Sequence, residues 1–251
     1  MERSVVCALM IGRKGSVGFP GKNLYPVLGR PLAEYPLLAA KTSKHVQRIF
    51  VSTDSPEIAA IAGRHGAEMI ERPPQLATKE ALGEHVFVHG YQEIKRRLAL
   101  EGLGVELVVL LFANAATITG ELIDQGVETL RSDPRFDSAV TTSVYNMWSP
   151  LRARRLDADG CLRPFVPFET FGDPATLNCD RDSQGDVHFA DMSVSIVRPH
   201  CLDNLDSGLL PQKWMGQRIA PIPSWGGCDV DYEWQMPMVE FWLRQHGIGE
   251  A

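Results

Sequence analysis

The first apolar run of the chain, Val5–Ile11, has no polar interruption, the pattern of a strand covered on both faces of a sheet. Pro31–Ser43 then predicts a helix with proline at its start. Arg48–Ser52 predicts a second strand, and Ser55-Pro56 opens a helix that runs to Arg64. Within Glu84–Leu100, the residues Val86, Val88, Tyr91, Ile94 and Leu98 fall roughly on one side, as in an amphipathic helix. Leu107–Phe112 is the most apolar stretch and predicts the central strand; helix Gly120–Arg131 and strand Ser138–Val144 continue the alternation. Strands alternating with helices specify an α/β fold. The reading is one Rossmann-like domain over residues 1–251, a mainly parallel sheet with helices on both faces. Ligands of such sheets sit beyond the carboxyl ends of the strands.

Between Tyr145 and Val187 the periodicity is lost among Arg, Asp and Pro residues. A segment this long is too costly to leave as a bare loop in a compact domain, so 145–190 is expected to be a functional insertion or to be covered by a partner subunit. Regular pattern resumes with strand Met192–Val197, a short helix near Leu202, strand Arg218–Ile222 and a final helix around Tyr232–Gln245. No internal repeat or low-complexity tract divides the chain.

Composition narrows the chemistry. The chain has 251 residues, 44% hydrophobic and 22% charged, with a formal net charge of −6. An acidic surface repels phosphate backbones, so broad nucleic-acid binding is not expected. A polyanionic substrate would need a few local Lys or Arg residues and a metal ion. The five cysteines are scattered, with no CxxC spacing, which favours neither a disulfide framework nor a zinc site. The seven histidines form no ligand set. The start of the chain lacks a signal-peptide apolar region, and no apolar run is long enough to span a bilayer. A reduced cytoplasmic protein with no membrane contact is therefore expected.

Two segments carry candidate chemistry. Gly12–Leu24 reads G-R-K-G-S-V-G-F-P-G-K-N-L, directly after the first strand. Its glycines let backbone N–H groups approach phosphate oxygens, and Arg13, Lys14 and Lys22 add positive charge. Ser16 and Asn23 stand where a P-loop needs Gly and Ser/Thr, and the glycine spacing is not that of the dinucleotide fingerprint. The second segment is Asp229-Val230-Asp231, after Gly226-Gly227. In an extended stretch, side chains two apart share a face, so both carboxylates can reach one ion. Mg2+ takes one or two carboxylates together with phosphate oxygens. Equally, Asp231 is placed to cap the helix that begins near Tyr232.

The loop Gly15-Ser16-x-Gly18-x-Pro20-x-Lys22-Asn23-Leu24 resembles the signature of the acylneuraminate cytidylyltransferases, the CMP-sialic acid synthetase family. The resemblance continues in order through Gly29-Arg30-Pro31-Leu32, Val51-Ser52-Thr53-Asp54 with Glu57-Ile58-Ala59, Arg72-Pro73 and Leu76-Ala77. It implies a homodimeric α/β nucleotidyltransferase that uses Mg2+ and CTP to activate a 2-keto sugar acid, with loss of pyrophosphate. By position it implies a triphosphate site at Gly12, Arg13, Gly15, Ser16 and Lys22, and a nucleoside site at Asn23 and Arg72. It also implies a metal pair at Asp229 and Asp231, and Arg181 as a contact to phosphate or acceptor carboxylate. The segment 145–190 becomes the dimerisation and acceptor-side insertion.

The acceptor side departs from the family. Val17 replaces a lysine, and the family's Asn-Gly before a late strand reads Asp191-Met192. At the end of the central strand, Phe112 replaces a glutamine and Ile118 an arginine, with Asn114 between them. Phe112, Asn114 and Asp191 are therefore expected to form an acceptor site rebuilt for something other than sialic acid. Trp214, Trp225, Trp234 and Trp242 are expected in packing, with sugar or base stacking as the alternative. In-line attack on the α-phosphate asks mainly for positioning and charge neutralisation, and no residue is required as general base. GTP or UTP with a sugar phosphate remains the nearest alternative. A metal-dependent glycosyltransferase using the Asp-x-Asp pair, or a non-catalytic nucleotide-binding regulator, is more distant.

Overall fold

A computed structural model describes residues 3–15 and 18–249. In chain order the main elements are β1 (Arg3–Ile11), α1 (Glu34–Thr42), β2 (Val46–Thr53), α2 (Pro56–Arg64), β3 (Glu68–Glu71), α3 (Gly83–Leu100) and β4 (Leu103–Phe112). They continue with α4 (Gly120–Ser132), β5 (Ser138–Val144), β6 (His188–Val197), α5 (Pro199–Asp203), β7 (Ile219–Ser224) and α6 (Met236–Gln245). The strands form one seven-stranded sheet in the order β7-β5-β6-β4-β1-β2-β3, so β4 is central, as its composition predicts. Only β6 runs antiparallel to its neighbours β4 and β5. The sheet is mostly parallel, as the alternation implies.

The two faces can be read from β1. Val6, Ala8 and Met10 join the core under α1, α2 and α4, together with Leu37, Ile58, Ile123 and Val127. Val5, Cys7, Leu9 and Ile11 join the opposite core under α3, with Phe87, Tyr91, Ile94 and Leu98. An uninterrupted apolar strand is what two-sided burial demands. A third cluster gathers Phe19, Val27, Leu32, Tyr35, Val230, Val239 and Trp242, and it pins the glycine-rich loop and the residues before α6 to one apolar centre. Ser55 caps α2 by accepting from the Ile58 amide, a contact worth about 1 kcal/mol.

Several boundaries differ from the sequence reading. Pro31 does not start a helix: it pairs with Pro26 in a two-residue hairpin, and α1 begins at Glu34. Strand β3 was not anticipated, because Glu68–Glu71 has charged ends and only Ile70 fully buried at the sheet edge. A 3-10 turn, Glu233–Gln235, precedes α6. The irregular segment proves to be short 3-10 turns plus a hairpin of Arg154–Leu156 with Leu162–Pro164. Among the described residues, no helix is long and apolar enough to cross a membrane.

Candidate active site

Beyond the carboxyl ends of β1, β2 and β4 lies a cleft of about 370 Å³. Gly12, Arg13, Gly15, Lys22, Asn23, Arg72, Phe112, Asn114 and Asp231 all line it. Gly12 follows β1 so closely against the end of β4 that a Cβ there would stand 2.6 Å from that of Ala113. Gly15 and Gly21 have φ of +82° and +77°, conformations that glycine adopts without strain. The loop is tied to the ends of the strands: the Lys14 amide donates to Asp54 at 2.7 Å, and Asn23 Nδ2 donates to the Arg13 carbonyl at 3.3 Å. Asn23 Oδ1 is buried without a hydrogen-bond partner, an acceptor left for a ligand. Arg72 is buried and donates to Ser52; burial pulls its guanidinium down to about 10, with Asp54 opposing the shift and Arg13 adding to it.

Across the cleft runs the segment 226–231. Val230 is fully buried in the third core, and its N and O pair with the backbone O and side-chain Nδ2 of Asn114, both at 2.9 Å. Of its two flanking carboxylates, Asp231 lines the cleft, and Asp229 lies beside Asn114. Asp231 does not cap the helix. Gln235 Oε1 takes that part by accepting from the Asp231 and Tyr232 amides at 2.7 and 2.8 Å, which frees the Asp231 carboxylate. Lys22 Nζ reaches it at 2.6 Å and the Val230 carbonyl at 2.5 Å, so the glycine-rich loop is joined to the carboxylate pair. Burial first, then repulsion from Asp231, holds the Asp229 carboxyl above the usual carboxylate range; Lys22 and a hydrogen bond from Asn114 partly oppose this. Two carboxylates that repel each other beside a cationic loop fit a hard divalent cation. Among the described residues no group of three or more His, Cys, Asp or Glu could hold a metal, so further ligands would be phosphate oxygens and water.

Three sequence expectations are corrected. Asp191 does not line the cleft: it is buried, and Thr141, Ser143 and the Ser193 amide occupy its carboxylate. Arg181 is exposed and pairs with its neighbour Asp182 at 2.9 Å, away from the cleft lining. Ile118 lies in the core under α4, so its exchange for arginine is a packing feature. Ser16 lies outside the described residues. The tryptophans contribute no lining; Trp214 and Trp242 are buried. The sequence reading missed Thr78, Ala81 and Gly83, which line the cleft where α3 begins, and Asp54, which anchors the loop. Their position beyond β2 and β3 was the available signal for them.

The strand order and the cationic loop beyond the strand ends define an α/β protein of the nucleotidyltransferase type. Residues 7–149, more than half of the chain, match the cytidylyltransferase family, and the chain belongs to it. It is 30% identical over 134 residues to a 3-deoxy-manno-octulosonate cytidylyltransferase of Bdellovibrio bacteriovorus, covering 53% of this chain and 49% of that one. It is 37% identical over 79 residues to an N-acylneuraminate cytidylyltransferase of Escherichia coli, covering 32% and 19%. The chain thus spans about half or less of the length of these relatives. Its fold is similar to that of a CMP:2-keto-3-deoxy-manno-octonic acid synthetase solved with CTP, at a TM-score of 0.66 and 15% identity, over 97% of this chain and all of that one.

Proposed function

We propose that this protein transfers CMP from CTP to a keto sugar acid and releases pyrophosphate. The observation that carries the reading is the meeting of the cationic glycine loop with Asp231 across one cleft, joined by Lys22, with Asp229 beside it against Asn114. Arg13, Lys22 and the loop amides hold the triphosphate, and Asn23 and Arg72 hold the nucleoside. A hydroxyl oxygen of the acceptor attacks the α-phosphorus, the bond to the β-phosphate oxygen breaks, and the hydroxyl proton passes to water. Asp229 and Asp231 would hold Mg2+, which when bound neutralises charge on the reacting phosphate. Phe112 offers the acceptor an apolar edge backed by Phe87, centroid to centroid at 5.1 Å. Sialic acid is then a poor fit, and an acceptor with a deoxy or acylated face a better one.

The excursion after β5 exposes Met147, Trp148, Leu156, Leu162 and Phe165, an apolar surface suited to a second copy of the chain. A homodimer is expected, and light scattering at micromolar concentration checks it against a monomer mass. The activity is tested by a pyrophosphate-release screen of four NTPs against keto sugar acids and sugar phosphates. CTP with a keto sugar acid should give the highest kcat/KM. Turnover only with GTP or UTP and a sugar phosphate, or release of a nucleoside phosphate instead of pyrophosphate, would overturn the reading.

A further inference from the structure

The segment 226–231 is held from behind by buried hydroxyls arranged around one carboxylate. Asp191, on β6, is 5% exposed. Its Oδ1 accepts from the Thr141 hydroxyl at 2.6 Å and the Ser193 amide at 3.1 Å, and its Oδ2 accepts from the Ser143 hydroxyl at 2.8 Å. All three donors are neutral. A buried carboxylate so held is costly to keep for packing alone, because hydroxyls and amides offset only part of its lost hydration. Its neighbour Met192 has φ of +64°, in the left-handed region that side chains rarely adopt. The two adjoining features say that the carboxylate is kept in place against a local cost.

What it holds is the backbone that carries the pair. Ser143 Oγ, bound to Asp191, accepts from the Gly227 amide at 3.1 Å. A Cβ on Gly227 would stand 2.2 Å from Asp191 Oδ2, so glycine alone lets the segment lie against the carboxylate. One residue further, Thr117 Oγ1 accepts from the Cys228 amide at 3.0 Å and lies 2.8 Å from the Ser193 hydroxyl. The next residue is Asp229. Two strands, β5 and β6, and the turn after β4 thus meet behind the two residues before the pair, and Asp191 ties the two strands together.

We propose that Asp191 is a positioning residue for the Asp229/Asp231 pair, acting through Ser143 and Gly227 to fix the backbone from which the two carboxylates project. The inference rests on the reading of that pair as the holder of a divalent cation. Groups behind metal ligands typically change metal affinity about 10–100-fold when altered.

The test uses the full chain with Mn2+ as probe. Free Mn2+ is read by electron paramagnetic resonance in the presence of a non-hydrolysable CTP analogue, and CTP binding is measured separately in chelator. In Asp191→Asn, Mn2+ affinity and the Mg2+ activation constant should weaken about 10-fold or more, while metal-free CTP binding stays within about twofold of wild type. Ser143→Ala keeps Asp191 on Thr141 and Ser193 but cuts its link to Gly227, and it should show the same defect; it also decides the matter if Asp191→Asn does not fold. A lower Tm and lower kcat with unchanged metal affinity in both variants would overturn the inference and leave Asp191 a fold-stabilising residue. A wild-type protein indifferent to divalent cations overturns the metal-pair reading, and this one with it.

Discussion

The glycine-rich side of the cleft is one continuous loop, whereas its carboxylate side is assembled from segments far apart in the chain. Arg13, Gly15, Lys22 and Asn23 lie within Gly12–Leu24, and their chemistry needs little beyond backbone freedom and charge. Asp229 and Asp231 depend on Asn114 beyond β4, on Thr141 and Ser143 of β5, on Asp191 of β6, and on Val230 in the third core. A contiguous motif announces itself by spacing. A site held by long-range contacts shows only its last few residues. The two sides meet at Lys22 with Asp231, and at Gly18, where a Cβ would stand 2.9 Å from the Asp231 carbonyl.

The strongest way to break the comparison is on the carboxylate side. Asp229→Asn or Asp231→Asn should lower turnover by about 10²-fold or more at saturating Mg2+, because charge neutralisation at the reacting phosphate is lost. Pyrophosphate release from the folded variants measures this, and near-normal rates in both would remove the pair from the chemistry.

A smaller effect is expected on the loop side. Lys22→Met removes one charge-assisted contact to phosphate, a loss of roughly 1.5–3 kcal/mol, so CTP affinity should fall about 10- to 100-fold. Isothermal titration of CTP provides the number. If CTP affinity is unchanged and only metal dependence shifts, Lys22 belongs to the carboxylate side alone.

The smallest effect sharpens the electrostatic contrast. A carboxyl whose folded-state pKa lies above its unfolded value costs stability when ionised, and that cost fades as pH falls through the folded-state value. Asp229 is raised in this way by burial and by Asp231. Asp229→Asn should therefore give a slightly higher Tm in the metal-free, nucleotide-free protein at pH 7, with the gain shrinking toward the usual carboxylate range. Thermal melts across that pH interval report it, and a lower Tm at pH 7 would contradict the burial argument.

Much of the fold was legible because it rests on short-range regularities. β1 and β4 are apolar without interruption, Ser55-Pro56 and Thr119 stand at helix starts, and α3 carries its apolar stripe at helical spacing. β3 was missed because an edge strand needs only one deeply buried residue. Pro31 misled because a fixed φ suits a hairpin as well as a first helical turn. Arg181 is implied by its position in the family pattern, yet position along an irregular segment does not say where a side chain points, and it pairs with Asp182.

By itself the sequence determined the strand–helix alternation, the glycine loop with its cations and the Asp-x-Asp pair. Each is written in residues close enough to act through backbone freedom, periodicity or charge alone. Tertiary structure decided which carboxylates face the cleft. Asp231 is released from helix capping by Gln235 and lines the cleft, whereas Asp191 is drawn inward by three donors from β5 and β6. A carboxylate goes where its hydrogen-bond donors are, and here they come from Lys22 on the glycine loop for Asp231 and from β5 and β6 for Asp191, groups that only the folded chain brings together.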